Sequence, residues 1–263
     1  NPSILMEILG YVGALFIGLV LGLTGGGGSI LTVPILVYLM SVSPVTATAY
    51  SLFIVGTTST FGAIQNYRKN LVDIKNGFIF AIPSFIAVYL TRKFIVPRIP
   101  EIIIESPILI TKNTFLMLFF AVIMIFGALS VLKKKSQDTN NEEKRNLILI
   151  GIQTFTIGII IGLVGAGGGF LIIPSLILFA KLPMRKAVGT SLFIIAMNSL
   201  VGFIGDVQNL EIDWVFLLTF SAISVVGIFI GMYLTKYTNE SQLKKIFAYF
   251  VLVMAAIILL KEM

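Results

Sequence analysis

The chain has 263 residues, 57% hydrophobic and 12% charged, with a mean hydropathy of +1.02, a composition outside the range of soluble domains that reads as a polytopic membrane protein. With no Cys and no His, disulfides and thiolate sites are excluded, and the commonest metal ligand and ordinary neutral-pH proton shuttle are absent. The net charge of +7 sits in loops between apolar runs, where membrane orientation accounts for it better than nucleic acid does.

Ten apolar segments follow in chain order: 4–23, 29–40, 44–65, 72–95 and 113–132, then 146–164, 169–180, 184–205, 212–235 and 241–261. About eight reach the roughly 17 to 25 residues needed to cross ~30 Å of hydrocarbon. The second of each set is short; about 12 residues at ~1.5 Å each span roughly half the core, so such a helix starts or stops inside the membrane. The first run has no basic n-region and is too long for a signal-peptide core, so it reads as a retained helix.

A shift of 140 positions lays GLTGGGGSILTVP (22–34) on GLVGAGGGFLIIP (162–174) without a gap, and 18 of 48 positions over 17–64 are identical. The matches include Ala47 with Ala187, Ser51 with Ser191, Ser59 with Ser199 and Gly62 with Gly202. Hydrophobic bias does not align Gly, Pro and Ser together, so the chain reads as two copies of one unit. NLVDI (70–74) and NLEID (209–213) correspond after a one-residue slip. The expected organisation is an all-α polytopic membrane protein, with a first repeat at 1–132, a polar cytoplasmic linker at 133–145 and a second repeat at 146–263.

Five crossings per repeat is an odd number, which predicts two repeats of inverted topology. With the linker inside, 14 basic residues fall in inner loops, against Arg92, Lys93, Arg98, Lys112 and Lys261 outside. That imbalance is strongly positive-inside. The same assignment puts both termini outside, along with Asp206, Glu211 and Asp213, and gives an architecture shared by many secondary transporters.

The glycines then need a role. Unwound backbone survives in lipid only where it is buried in protein or lines a polar cavity. Each cluster precedes a half-length helix whose first N–H groups lack intrahelical acceptors, and those groups with the helix dipole favour an anion. The inverted arrangement would bring the half-helix N-termini near Ser29 and Phe170 together at the midplane. The candidate substrate-lining residues are therefore Gly25, Gly26, Gly27, Gly28 and Ser29, with Gly165, Gly167, Gly168 and Gly169. Close helix crossing is the competing role for such glycines.

The following helices add Ser51, Thr190, Ser191 and Asn198 as candidates, Ser51 with Ser191 by repetition; hydroxyls bonded to their own helix are the bland reading. Gln65 and Arg68 suit either an inner gate or a solvated loop face. No ionisable residue lies at the middle of a span, which disfavours a side-chain proton relay. Facilitated passage, sodium held by carbonyls and hydroxyls, or a proton carried on the substrate stay open.

The duplicated glycine element before a Pro-containing short helix, then AVGTSLF (187–193) and NLVDI/NLEIDW, resembles the TauE/SafE sulfite exporter family, with its 4-toluene sulfonate uptake permease-like transporters. The resemblance covers nearly the whole chain. It implies a permease for small sulfur-containing anions such as sulfite or organosulfonates, with the family's glycine motifs on Gly25 to Gly28 and Gly165 to Gly169 and its GTS element on Gly189, Thr190 and Ser191. The first copy reads Ala49-Tyr50-Ser51 instead, and Gln65 stands where members often have His.

The partners expected are a small anionic substrate and the lipid bilayer, with no nucleic acid, no metal and no cofactor; a homo-oligomer is compatible with the sequence. A carrier of cations or other small solutes is the main alternative, since unwound segments also present carbonyls. Convergence of the half-helix C-terminal ends near Met40 and Ala180 would favour it. A non-transport accessory subunit is a further reading. An enzyme ranks last, without HExxH, paired Asp or a Ser-His dyad.

Overall fold

The computed structural model describes residues 2–104, 110–132, 147–165, 167–237 and 240–262, so the 133–145 linker lies outside the described residues. The first half comprises α1 (Pro2–Thr24), the short α2 (Ser29–Tyr38), α3 (Pro44–Arg68) and α4 (Ile74–Leu90). A π-helical turn, Thr91–Ile95, carries α4 on into α5 (Val96–Arg98), and α6 (Lys112–Leu132) closes the half. The second half holds α7 (Leu147–Val164), the short α8 (Gly169–Phe179), α9 (Met184–Asp206), α10 (Trp214–Leu234) and α11 (Glu240–Glu262).

The ten expected segments are therefore all helical. One element has no counterpart in that reading: β1 (Ile102–Ile104) pairs antiparallel with β2 (Ile110–Thr111) ahead of α6. Its isoleucines, a β-favouring run too short to span a membrane, stand where the sequence reading had only a loop.

Among the described residues, four helices are long and apolar enough to cross a membrane: Met6–Thr24, Ile74–Arg98, Met184–Asp206 and Trp214–Leu234. Their outward faces expose Val12, Ile86, Val215, Leu218 and Val226, while Ser29, Thr32, Ser51, Thr58, Ser59, Asn198 and Ser199 are buried. Polar side chains inside and large apolar ones outside is the distribution a lipid solvent selects.

The same local devices recur 140 residues apart. Both short helices end on a left-handed residue, Ser41 at φ 56° and Lys181 at φ 51°. The next amide then reaches back to the helix, Val42 N–H to Leu36 O at 3.0 Å and Leu182 N–H to Leu176 O at 3.3 Å. This is a Schellman-type stop. Asp73 and Asp213 cap α4 and α10, accepting from the Asn76 and Phe216 amides at 3.0 Å. The amide of each cap in turn donates to the opposite half: Asp73 N–H to Thr190 Oγ1 at 2.9 Å, and Asp213 N–H to Tyr50 Oη at 2.8 Å.

Packing exchanges elements between the halves. α1 lies along α10 and α7 along α4, and the close approach is made at matching glycines, Gly18 on the Ser224 carbonyl and Gly158 on that of Ser84. Only a residue without Cβ lets the backbones come so near. At the centre, α3 and α9 pack with Leu52 on Gly202, Gly56 on Leu200, Gly62 on Leu192 and Asn66 on Gly189. One series rises as the other falls, so these two helices run antiparallel. α6 and α11 pack together at the side.

Candidate functional site

The chain between α1 and α2, residues 25–28, is wholly buried, as are Gly165, Gly167, Gly168 and Gly169 ahead of and at the start of α8. Gly25, Gly165, Gly167 and Gly168 adopt φ of +63° to +75°, the left-handed region open to Gly without steric cost. The two motifs touch. A Cβ on Gly26 would stand 2.5 Å from the Gly169 Cα, so the backbones are in van der Waals contact. The N-terminal ends of the half-helices therefore meet, as the anion reading expected. Met40, at the far end of α2, packs instead on Gly10 of α1.

Hydrogen bonding at this meeting point leaves more donors than acceptors free. The carbonyl of Gly25 accepts from Ser191 Oγ, and that of Gly26 from Ser29 Oγ at 2.7 Å and the Ser29 amide at 3.3 Å. The Gly28 carbonyl takes the Leu31 amide, and that of Gly168 takes the Leu171 and Ile172 amides. The Gly27 amide is held by Thr24 Oγ1 at 2.9 Å. By contrast, the amides of Gly26, Gly28, Gly167, Gly168 and Gly169 donate to no acceptor among the described residues. Among the same glycines the carbonyls of Gly27, Gly165 and Gly167 also accept from no donor among the described residues. Five free amides thus stand against three free carbonyls, and a buried unpaired N–H costs about as much as a lost hydrogen bond.

The side-chain candidates divide. Ser191 is anchored on the Gly25 and Val188 carbonyls, while its matched partner Ser51 is fully buried with a free Oγ. Asn198 accepts from Ser84 Oγ at 2.9 Å through Oδ1 and leaves Nδ2 unpartnered. Thr190 is taken up by the Asp73 amide, which places it at the α3–α4 turn. Gln65 is half-buried and Arg68 exposed at the end of α3.

The candidate set omitted seven buried hydroxyls without partners among the described residues, Thr32, Thr58, Ser59, Thr91, Ser199, Ser221 and Ser224. Ser199 Oγ stands 3.2 Å from where a Gly167 Cβ would be, so it belongs to the second glycine motif. The signal for the serines was present in the repeat, where Ser59 matches Ser199.

Two charges need correction. Arg92 and Asp206, counted with the outer loops, are interior. The π-helical turn keeps the chain helical past Leu90 and directs Arg92 onto the last turn of α9, where Nε pairs with Asp206 Oδ2 at 2.8 Å and both side chains are buried. Nη1 and Nη2 both donate to Thr48 Oγ1 at 3.1 Å. Thr48 in turn packs on Gly165, joining the ion pair to the second motif.

Comparison with known proteins agrees with this architecture. Residues 11–258 match the family described as sulfite exporter TauE/SafE. A probable membrane transporter protein of Xylella fastidiosa (strain 9a5c) is 26% identical over 246 residues, covering 91% of this chain and 89% of the relative. The probable membrane transporter protein YunE of Bacillus subtilis (strain 168) is 27% identical over 244 residues, 82% of each chain. A third, MJ0441 of Methanocaldococcus jannaschii, is 34% identical over 112 residues, 40% of this chain and 41% of its own. No solved structure matches. Matched over nearly its whole length, this membrane-embedded, multi-pass chain belongs to the sulfite exporter TauE/SafE family of membrane transporters.

Proposed function

We propose that the chain is a secondary transporter for a small sulfur-containing anion, such as sulfite or an organosulfonate. The anion binds where the two glycine-rich half-helix N-termini meet and moves by alternating access. The observation that carries this reading is the hydrogen-bond imbalance around Gly26 and Gly169: unpaired amides, with the carbonyls of Gly25, Gly26, Gly28 and Gly168 already occupied. Free amides outnumber the free carbonyls of Gly27, Gly165 and Gly167, so such a surface complements negative charge better than positive. The free hydroxyls of Ser51, Ser59 and Ser199 and the free amide of Asn198 supply further donors.

The repeats take inverted topology in this proposal, with the linker at 133–145 cytoplasmic and both termini outside. Its support is the antiparallel packing of the equivalent helices α3 and α9 and the matched contacts of α1 with α10 and α7 with α4.

The test is uptake into proteoliposomes of sulfite, sulfate, thiosulfate, taurine and sulfoacetate, each with and without imposed proton and sodium gradients. Saturable flux of a sulfur anion is expected, and the gradient that accelerates it names the coupling ion. Flux of a cation, with none of the anions carried, would sink the reading.

A further inference from the structure

We propose that Arg92 is the anion-selecting cation of this transporter, that Asp206 fixes its orientation, and that the Thr48 hydroxyl holds its place until substrate arrives. The inference rests on the anion-transport reading and names the side chains that recognise the charge. A guanidinium offers five N–H donors in a planar fork, suited to two oxygens of one oxyanion. Asp206 takes the Nε side. Thr48 Oγ1 alone accepts from both Nη1 and Nη2 while donating to the Val45 carbonyl. One neutral oxygen thus occupies the edge where two charged ones would fit. The side chain is fully buried, and two of its four Nη hydrogens have no acceptor among the described residues.

The pair is not demanded by the fold. At the positions 140 residues away, Met232 stands for Arg92 and Asn66 for Asp206, both buried, and Val188 stands for Thr48. The same backbone therefore closes around uncharged side chains in the other half. A buried ion pair is weak evidence of stability because desolvation opposes the attraction, so its presence in one half alone points to a task. The segment also departs from regular helix: Thr91–Ile95 is π-helical, and the matching Gly231 to Leu234 stay α-helical. Such turns recur at functional sites. Thr48 packs on Gly165, within the motif whose amides are unpaired, so an anion leaving the Arg92 fork is handed on to Gly167 to Gly169. Asp206 remains paired through Nε during that exchange, so no carboxylate is orphaned.

The experiment compares wild type, R92M/D206N, Arg92→Lys and Thr48→Val in proteoliposomes. It uses sulfite and whichever other sulfur anion the wild type carries, with size-exclusion profile and melting temperature as the check of fold. The double variant installs the pair the other half already carries, so it is expected to fold and to lose about 10- to 100-fold in kcat/KM, the range of a charge-assisted bidentate contact. Arg92→Lys keeps charge without the fork and is expected to raise KM several-fold. Thr48→Val removes the competing hydroxyl and is expected to lower KM. A double variant that carries the anion with wild-type KM and maximal rate overturns this assignment and leaves the transport reading standing. A wild type that carries no anion overturns both. Should the double variant fail to fold, Thr48→Val decides: a lowered KM supports the placeholder role, an unchanged KM overturns it.

Discussion

Around Trp214 the structure packs Phe53, Phe203 and Trp214 edge to face or tilted, with ring centroids 5.0 to 6.1 Å apart. At the matching positions 140 residues away stand Phe193, Ala63 and Ile74, and there the same backbone leaves a cavity of about 380 Å³ between α3, α9 and the turn before α4. Replacing two aromatic rings by a methyl and a sec-butyl group removes the volume that closes the other end. The repeat thus duplicates the frame, its caps, helix stops and glycine approaches, without duplicating the side chains that fill it. The inequality leaves a partly open apolar groove beside Ile74 where the rings fill the equivalent space beside Trp214.

The largest test of that frame is at the glycine contact. Gly26→Ala places a Cβ against the Gly169 backbone, which has no flexible tip to move aside. A loss of about 3 kcal/mol or more in thermal unfolding in detergent, with transport abolished, is expected. A Cβ added at Gly151 would meet nothing within 4 Å, so Gly151→Ala in α7 should be neutral or stabilising by up to about 1 kcal/mol. Equal losses in both variants would mean that helix propensity, not backbone approach, sets the requirement.

Swapping residues between the two ends comes next. Phe203→Ala, at a buried ring, should cost about 3 kcal/mol. Ala63→Phe should fill the cavity and change stability by less than about 1 kcal/mol, while slowing flux if the opening is the route. A flux unaffected by Ala63→Phe assigns the cavity to packing alone.

The matched serines give a smaller effect of opposite kind. Ser191→Ala removes the donor to the Gly25 carbonyl and should destabilise by about 1 kcal/mol. Ser51→Ala removes a buried hydroxyl that satisfies nothing, so stability should hold or rise slightly while substrate KM increases. Measured together, melting and uptake separate a structural serine from a binding one.

Smallest are the caps. Asp213→Ala should cost about 1 kcal/mol in thermal unfolding. Asp73→Ala should cost somewhat more, because Asp73 Oδ2 also accepts from Asn76 Nδ2 at 2.7 Å.

Much of the frame was legible in the chain itself. The half-helices could be read because apolar length, a flanking Gly cluster and an abrupt polar break are all local signals. The serine repeat was equally visible, yet only the structure distinguishes Ser191, bonded to the opposite glycine motif, from Ser51, whose hydroxyl has no partner among the described residues. The charges misled for a related reason. Counting Lys and Arg by segment treats each as a loop residue, and Arg92 sits inside a helix whose π-helical continuation no composition rule anticipates.

The sequence by itself determined the membrane class, the ten helical segments, the 140-residue repeat and the glycine motifs that place the chain in its family, because each depends on a short window or on comparing one window with another. Only the tertiary structure decided that Gly26 rests on Gly169, that five glycine amides have no acceptor among the described residues, and that Arg92 reaches both Asp206 and Thr48. Those outcomes depend on the rotation and depth of helices far apart in the chain, which side-chain volume and backbone contact set only once the whole bundle has assembled.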